Sequence, residues 1–232
     1  MGGTVIAVTS LSLWADWSNP GSALAHDTLP YYASADLRPR WDRVSEVLQV
    51  GDFEFTDHRK TAVDERVLDN GPTVVNLFFA GCVSVCPVSM DLLRTLQAGF
   101  GSEAPQFASL TVSPLTDDVR ALADYAGKFG LPKEWILLTG DPKHVEAWAR
   151  KSLYSDITKI GADGLPPHTE RAFLIDRRHR IRGIYDARSP HEMVRLRHDI
   201  GQLKREDAPP DAQAASSISP SSTPEVPAVV MR

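Results

Sequence analysis

The chain has 232 residues, 42% hydrophobic and 24% charged, which suits one globular domain with flanking segments. A formal net charge of -5 without a basic cluster argues against nucleic acid as a partner. Two cysteines are too few for a disulfide-stapled scaffold or an all-cysteine zinc site, and no apolar run approaches the ~20 residues that span a bilayer.

Thr4 to Ala15 is a short apolar run, and Ala23-Leu24-Ala25 follows as an A-x-A site. Length and site point to a signal peptide rather than a membrane span, although no Lys or Arg precedes Arg38. Residues 1–27 are therefore expected to be an export signal or a disordered arm, with weak membrane association through it. Leu29 to Trp41 reads as an extended lead-in. Val50 to Thr56 alternates as a strand, Asp57-His58 turns it, and Thr61 to Val63 pairs back as an N-terminal β-hairpin.

Asp69-Asn70-Gly71-Pro72 is a turn that feeds Thr73 to Phe79, an apolar β-prone run of the kind buried on both faces of a sheet. The run breaks at Ala80-Gly81, and Pro87 favours a helix first turn. Val88, Leu92, Leu93, Leu96 and Phe100 then recur at helical spacing. Gln106 to Val112 is the next strand. Asp117 to Phe129 is a helix closed by Gly130, and Trp135 to Leu138 is a short strand. Asp141-Pro142 opens a helix that faces Val145, Trp148 and Ala149 inward. Arg171 to Asp176 and Arg180 to Tyr185 form an antiparallel hairpin. Ser189 to Glu192 is a capping box for a last helix burying Met193, Leu196, Ile200 and Leu203. From Glu206 the chain turns to Ala, Pro and Ser, a composition with little to bury, so the domain spans 28–205 and residues 206–232 read as a disordered tail. Alternating units ending in a hairpin and a helix give an α/β fold, a mixed sheet flanked by helices on both faces.

The chemistry concentrates at the end of the Thr73 to Phe79 strand. Cys82 and Cys86, the only cysteines, stand where that strand gives way to a helix. In open α/β sheets this edge is where ligands bind. With Pro87 as the first helical residue, Cys86 takes the N-cap position, where the helix dipole and unpaired N–H groups lower a thiol pKa from about 8.5. The C-x-x-x-C spacing lets both sulfurs converge, or close a redox-active disulfide. It is one residue wider than the C-x-x-C of thioredoxin-type reductases and suits a metal between the sulfurs. Two soft sulfurs favour Cu(I). A third ligand makes the site trigonal, and of seven histidines His168 is best placed, in a loop entering the Arg171 strand. His26 lies near the chain start, His58 and His179 in turns, and His144, His191 and His198 on helices. Taken on position alone, His168 also fits an ordinary hydrogen-bonded loop histidine.

FFAGCVSVCPVSM resembles the C-x-x-x-C-P signature of the Sco/SenC family, thioredoxin-like copper proteins of cytochrome oxidase assembly. LPYYASADLRPRW, FEFTDHRKTAV, TVSPLTDDVRALADYAGKFG with WILLTGD, and PPHTERAFLIDRRHRIRGIYD resemble further family segments in order, covering Leu29 to Leu203. The resemblance implies a thioredoxin-like fold and copper ligands at Cys82, Cys86 and His168, with copper as Cu(I) or Cu(II). It implies a periplasmic or membrane-attached protein that delivers copper to the copper A centre of an oxidase subunit, or reduces that centre's cysteines, or serves another copper protein. A monomer is expected. Two departures stand out. Ser113-Pro114 replaces the family's Asp-Pro pair, Asp117 and Asp118 only loosely match the polar Arg-Asp-Thr-like stretch that follows that pair in the family, and Pro167 precedes His168 where the family has Asp. The competing reading is an enzyme without copper delivery, a thiol–disulfide oxidoreductase or a peroxiredoxin-like peroxidase. The latter wants Thr or Ser three residues before its cysteine, where this chain has Val83.

Overall fold

The computed structural model describes residues 28–33, 37–41, 47–158 and 170–208. The leader at 1–27 with His26, His168 and its loop, and the tail from residue 209 lie outside the described residues.

The elements are β1 (Tyr31–Tyr32), β2 (Pro39–Arg40), β3 (Glu54–Asp57), β4 (Ala62–Asp64), β5 (Thr73–Phe78), α1 (Val85–Ala98), β6 (Gln106–Thr111), α2 (Val119–Phe129), β7 (Ile136–Thr139), α3 (Pro142–Leu153), β8 (Arg171–Ile175), β9 (Ile181–Asp186) and α4 (Pro190–Asp207). Seven strands form one mixed sheet in the order β4-β3-β7-β6-β5-β8-β9. β5, β6 and β7 run parallel, and the other neighbours pair antiparallel. The N-terminal hairpin β3–β4 joins this sheet by pairing Thr56 with Thr139 and Asp57 with Leu138. The lead-in is not simply extended: β1 and β2 fold back as a separate two-stranded ribbon.

Strand order dictates where the helices lie. The chain steps from β5 to β6 to β7 in one direction, so right-handed crossovers place α1 and α2 on the same face. It then crosses back to β8, which puts α3 on the opposite face. The core divides accordingly. Val74, Phe78, Phe107 and Leu174 share a cluster with Met90 and Leu93 of α1, Leu122 of α2 and Leu196 of α4. Val75, Leu77, Leu110 and Phe173 pack instead with Val145, Trp148 and Leu153 of α3. Every residue of β5 is buried, as expected of a central strand read on two faces.

Local signals act as their chemistry requires. Asp141 accepts the N–H groups of Lys143 and His144, and Gly130 takes the left-handed conformation that ends α2. Ser189 caps α4, but the Glu192 carboxylate turns to Arg195, so the box is not reciprocal. The α1 stripe also differs from expectation. Val88 is half exposed, and Met90 occupies the core beneath β5, because the buried face of the helix runs through Cys86, Met90, Leu93 and Gln97 and leaves Val88 off it. Among the described residues, no helix is long and apolar enough to cross a membrane.

Candidate metal and thiol site

β5 and β6 are adjacent and parallel, so the loops that follow them meet at one end of the sheet. Asp117, buried after β6, ties the two loops together. Its Oδ2 accepts the Ala80 N–H at 2.9 Å and the Thr111 hydroxyl at 2.5 Å. Cys82 N–H then closes back on Phe79 O at 3.1 Å. Gly81 lets this turn pass the Phe79 ring, since a Cβ there would come within 2.5 Å of Phe79 Cζ. Asp117 thus acts on the backbone of the cysteine loop.

Cys82 and Cys86 are both buried thiols, not bridged to one another. The structure corrects the expected capping geometry. Ser84 holds the N-cap position without capping the helix through its side chain, and Cys86 lies inside the first turn of α1. Pro87 is still accommodated, because the first four helical nitrogens have no partner within the helix. The cap is supplied by sulfur: Cys86 N–H donates to Cys82 Sγ at 3.4 Å, and Ser84 Oγ lies 3.8 Å from that sulfur.

The two thiols therefore differ in acidity, and in the reverse sense to that expected for Cys86 at an N-cap. Burial opposes ionisation of Cys82, but hydrogen bonds from the backbone N–H of Cys86 and Ser84 and from both side chains outweigh it and bring its pKa to about 6. Burial pushes Cys86 up to about 12, and the hydrogen bond and charge of Cys82 add to the effect of burial, with a smaller contribution from Glu170.

Glu170 is the first described residue after the His168 loop. With Cys86, Asn76, Ser89 and Arg171 it lines a small cavity beside the Cys86 thiol. Its place is fixed by an ion pair to Arg188 at 2.5 Å and by the Ala187 N–H on its carbonyl at 2.7 Å. In the cysteine loop, the first turns of α1 and the loop after β6, Val83 is 90%, Val88 50% and Leu115 85% exposed, and the segments 80–88 and 113–116 carry no charged side chain.

The described histidines are placed elsewhere. His58 accepts the Leu137 N–H at 3.3 Å, and burial lowers its pKa. His179 sits in the β8–β9 turn, 2.8 Å from Asp69, which precedes β5 and so marks the opposite end of the sheet from the cysteines. His144 begins α3 on the other face, and His191 and His198 lie on α4. Among the described residues no group of three or more His, Cys, Asp or Glu converges to hold a metal. Sequence reasoning missed two residues here. Glu170 carries no motif. Tyr125 lies three residues after Leu122 in the α2 stripe, a polar tip at a core position that the pattern could have flagged.

The comparisons agree with this architecture. The sequence model of the family described as SCO1/SenC matches residues 43–200. No curated protein sequence matches the chain. A SCO1/SenC family lipoprotein from Bacillus anthracis superposes with a TM-score of 0.63 at 23% identity, covering 68% of this chain and 95% of that one. BsSco, described with a disulfide switch and as a member of the Sco family of cytochrome c oxidase assembly proteins, gives 0.60 at 21% identity, covering 67% and 93%. Copper-bound ScoI of Bradyrhizobium japonicum gives 0.56 at 20% identity, covering 67% and 99%. With the family match spanning well over half its length, and with a thioredoxin-like mixed sheet presenting C-x-x-x-C at the end of its central strand, this chain belongs to the SCO1/SenC family.

Proposed function

We propose that the protein is a copper metallochaperone, exported to the periplasm or held at the membrane facing it, that delivers copper to the copper A centre of a respiratory oxidase or to another copper protein. The observation that carries this reading is the joint position of three chain segments. Cys82 and Cys86 lie one helical turn apart, linked through the 3.4 Å contact from Cys86 N–H to Cys82 Sγ. Glu170, two residues beyond His168, borders the same cavity as Cys86. Two residues span at most ~7 Å, which supports His168 as the third ligand without requiring a long reach.

Cu(I) suits this donor set, two thiolates and an imidazole. Cys82 is already largely ionised near pH 7, and binding must displace the proton that Cys86 retains. Copper is cargo here, and the uncharged apolar rim of Val83, Val88 and Leu115 offers a partner's metal site a face to approach. The test is titration of Cu(I) into the reduced protein. One tight equivalent, lost in C82S and C86S and weakened in H168A, supports the reading; unchanged binding in the cysteine variants sinks it.

The acidity difference also supports a second reading, reduction of a partner's disulfide. The Cys82 thiolate attacks one partner sulfur, forms a mixed disulfide and releases the other partner sulfur as thiolate. Cys86 then gives its proton to that leaving group, and its sulfur attacks Cys82 Sγ, breaking the mixed disulfide and releasing the first partner sulfur as thiolate, so that two thiols are oxidised and one disulfide is reduced. The oxidised pair no longer offers thiolates to copper. Disulfide reductase turnover without any Cu(I) uptake would favour this reading over delivery.

A further inference from the structure

Tyr125 occupies the apolar stripe of α2 and is 5% exposed. Its ring tilts against Phe78, the last residue of β5, with centroids 5.2 Å apart, and stacks on Phe129 at 4.4 Å. It shares one core cluster with Cys82 and Cys86. Its hydroxyl is fully buried and has no hydrogen-bond partner among the described residues. Two other buried polar atoms are in that condition, but Gln97 lies near the far end of α1 and Asp207 at the end of α4. Burial, followed by the negative charge of Cys86, Cys82 and Asp117, holds the phenol well above its ordinary range, so it remains a proton donor.

A buried hydroxyl without a partner gives up its hydrogen bonds to water with nothing to replace them. Phenylalanine would keep both ring contacts and avoid that loss. Such a group calls for a state of the protein in which it is bonded. Metal loading creates one: Cys86 gives up its proton, both sulfurs are then thiolates, and a second charged acceptor joins Cys82 in the cluster that includes Tyr125. The geometry points to Tyr125 as a positioning residue of the copper site, its hydroxyl donating to a sulfur of the Cys82–Cys86 pair when both serve as ligands and so favouring the loaded state. The inference rests on the copper reading above and adds a residue that the cysteine motif does not contain.

The test compares the reduced full chain with Y125F. Cu(I) affinity is measured against a competing chelator, thermal melting without metal, and the phenolic proton by NMR before and after Cu(I). The expected result is an affinity about tenfold weaker in Y125F, the size of one hydrogen bond to a charged acceptor. Y125F should melt at the same or a higher temperature. The wild type should gain a slowly exchanging phenolic proton on loading that Y125F lacks. Equal affinity in the two proteins, or no such proton, overturns the inference. So does a lower melting temperature in Y125F, because the hydroxyl would then be bonded in the metal-free protein. Failure of the wild type to take up Cu(I) removes the copper reading and this inference with it, whereas equal affinity removes only the inference.

Discussion

The two ends of the sheet are built on opposite principles. At the N-terminal end of β5, buried charge is held by several partners at once. The Arg182 guanidinium, 2% exposed, bonds Leu29 O at 2.8 Å, Pro30 O at 3.1 Å and Glu206 at 2.7 Å, lies 3.3 Å from Asp176 and stacks over Tyr31. Asp176 also accepts the N–H groups of Arg178 and Arg180, and Glu206 takes the Leu29 N–H at 2.6 Å. At the cysteine end, a phenol has no hydrogen-bond partner among the described residues, one thiol is largely ionised while its neighbour resists ionisation, and apolar side chains face solvent. The first end fixes where the chain enters the domain. The second keeps capacity for something to bind, and its unmet valences are where function is sought.

Four measurements break or sharpen this contrast. The largest effect belongs to the satisfied end: Asp176→Ala leaves Arg182 and Arg180 without their shared carboxylate and should cost about 3–5 kcal/mol in chemical denaturation, with Cu(I) uptake retained by the folded fraction. A loss under 1 kcal/mol would erase the distinction. Asp117→Ala comes next. It strips a buried acceptor from Ala80 and Thr111, so a loss of about 1–3 kcal/mol is expected, and here Cu(I) affinity should fall as well because the cysteine loop loses its tie. The third is a rate. Alkylation of the metal-free protein should modify Cys82 at least about tenfold faster than Cys86 at pH 7, because the thiolate is the nucleophile. The Cys82 rate should rise with pH through about 6 and then level off. Its folded pKa lies below the ordinary thiol value, so this group adds stability at high pH that fades as pH falls through about 6. Equal labelling of both cysteines would contradict the acidity order. The smallest effect is on the rim: V83D with L115D should change stability by less than about 0.5 kcal/mol and leave Cu(I) affinity within about twofold, since neither side chain packs. Copper transfer to a copper A domain should nevertheless slow, and unchanged transfer would show that partners do not approach over this face.

Much of the scaffold was legible from local chemistry. Asp141-Pro142 and Gly130 bound their helices because caps act through neighbouring backbone groups, and the α4 stripe of Met193, Leu196, Ile200 and Leu203 is buried as its spacing implied. The start of α1 was misjudged by two residues, which was enough to exchange the expected roles of the thiols. Pro87 marks a first turn without saying which of its positions it fills. The site was legible as a cysteine pair; its asymmetry was not, because that depends on which sulfur receives an N–H. His168 remains an assignment from resemblance and proximity.

What the sequence determined by itself were the four helices, the strands of the main sheet, the family and the two thiols; the elements and the thiols' setting rest on contacts within a turn or on periodicities of two and 3.6 residues. What only the tertiary structure decided were the partners far apart in the chain: Asp117 holding Ala80 across 37 residues, Arg182 clasping Leu29 across 153, and Tyr125 entering the core cluster of the cysteines with no partner for its hydroxyl among the described residues. No local pattern encodes those meetings, because each follows from the order in which strands pair and the face to which each crossover delivers its helix.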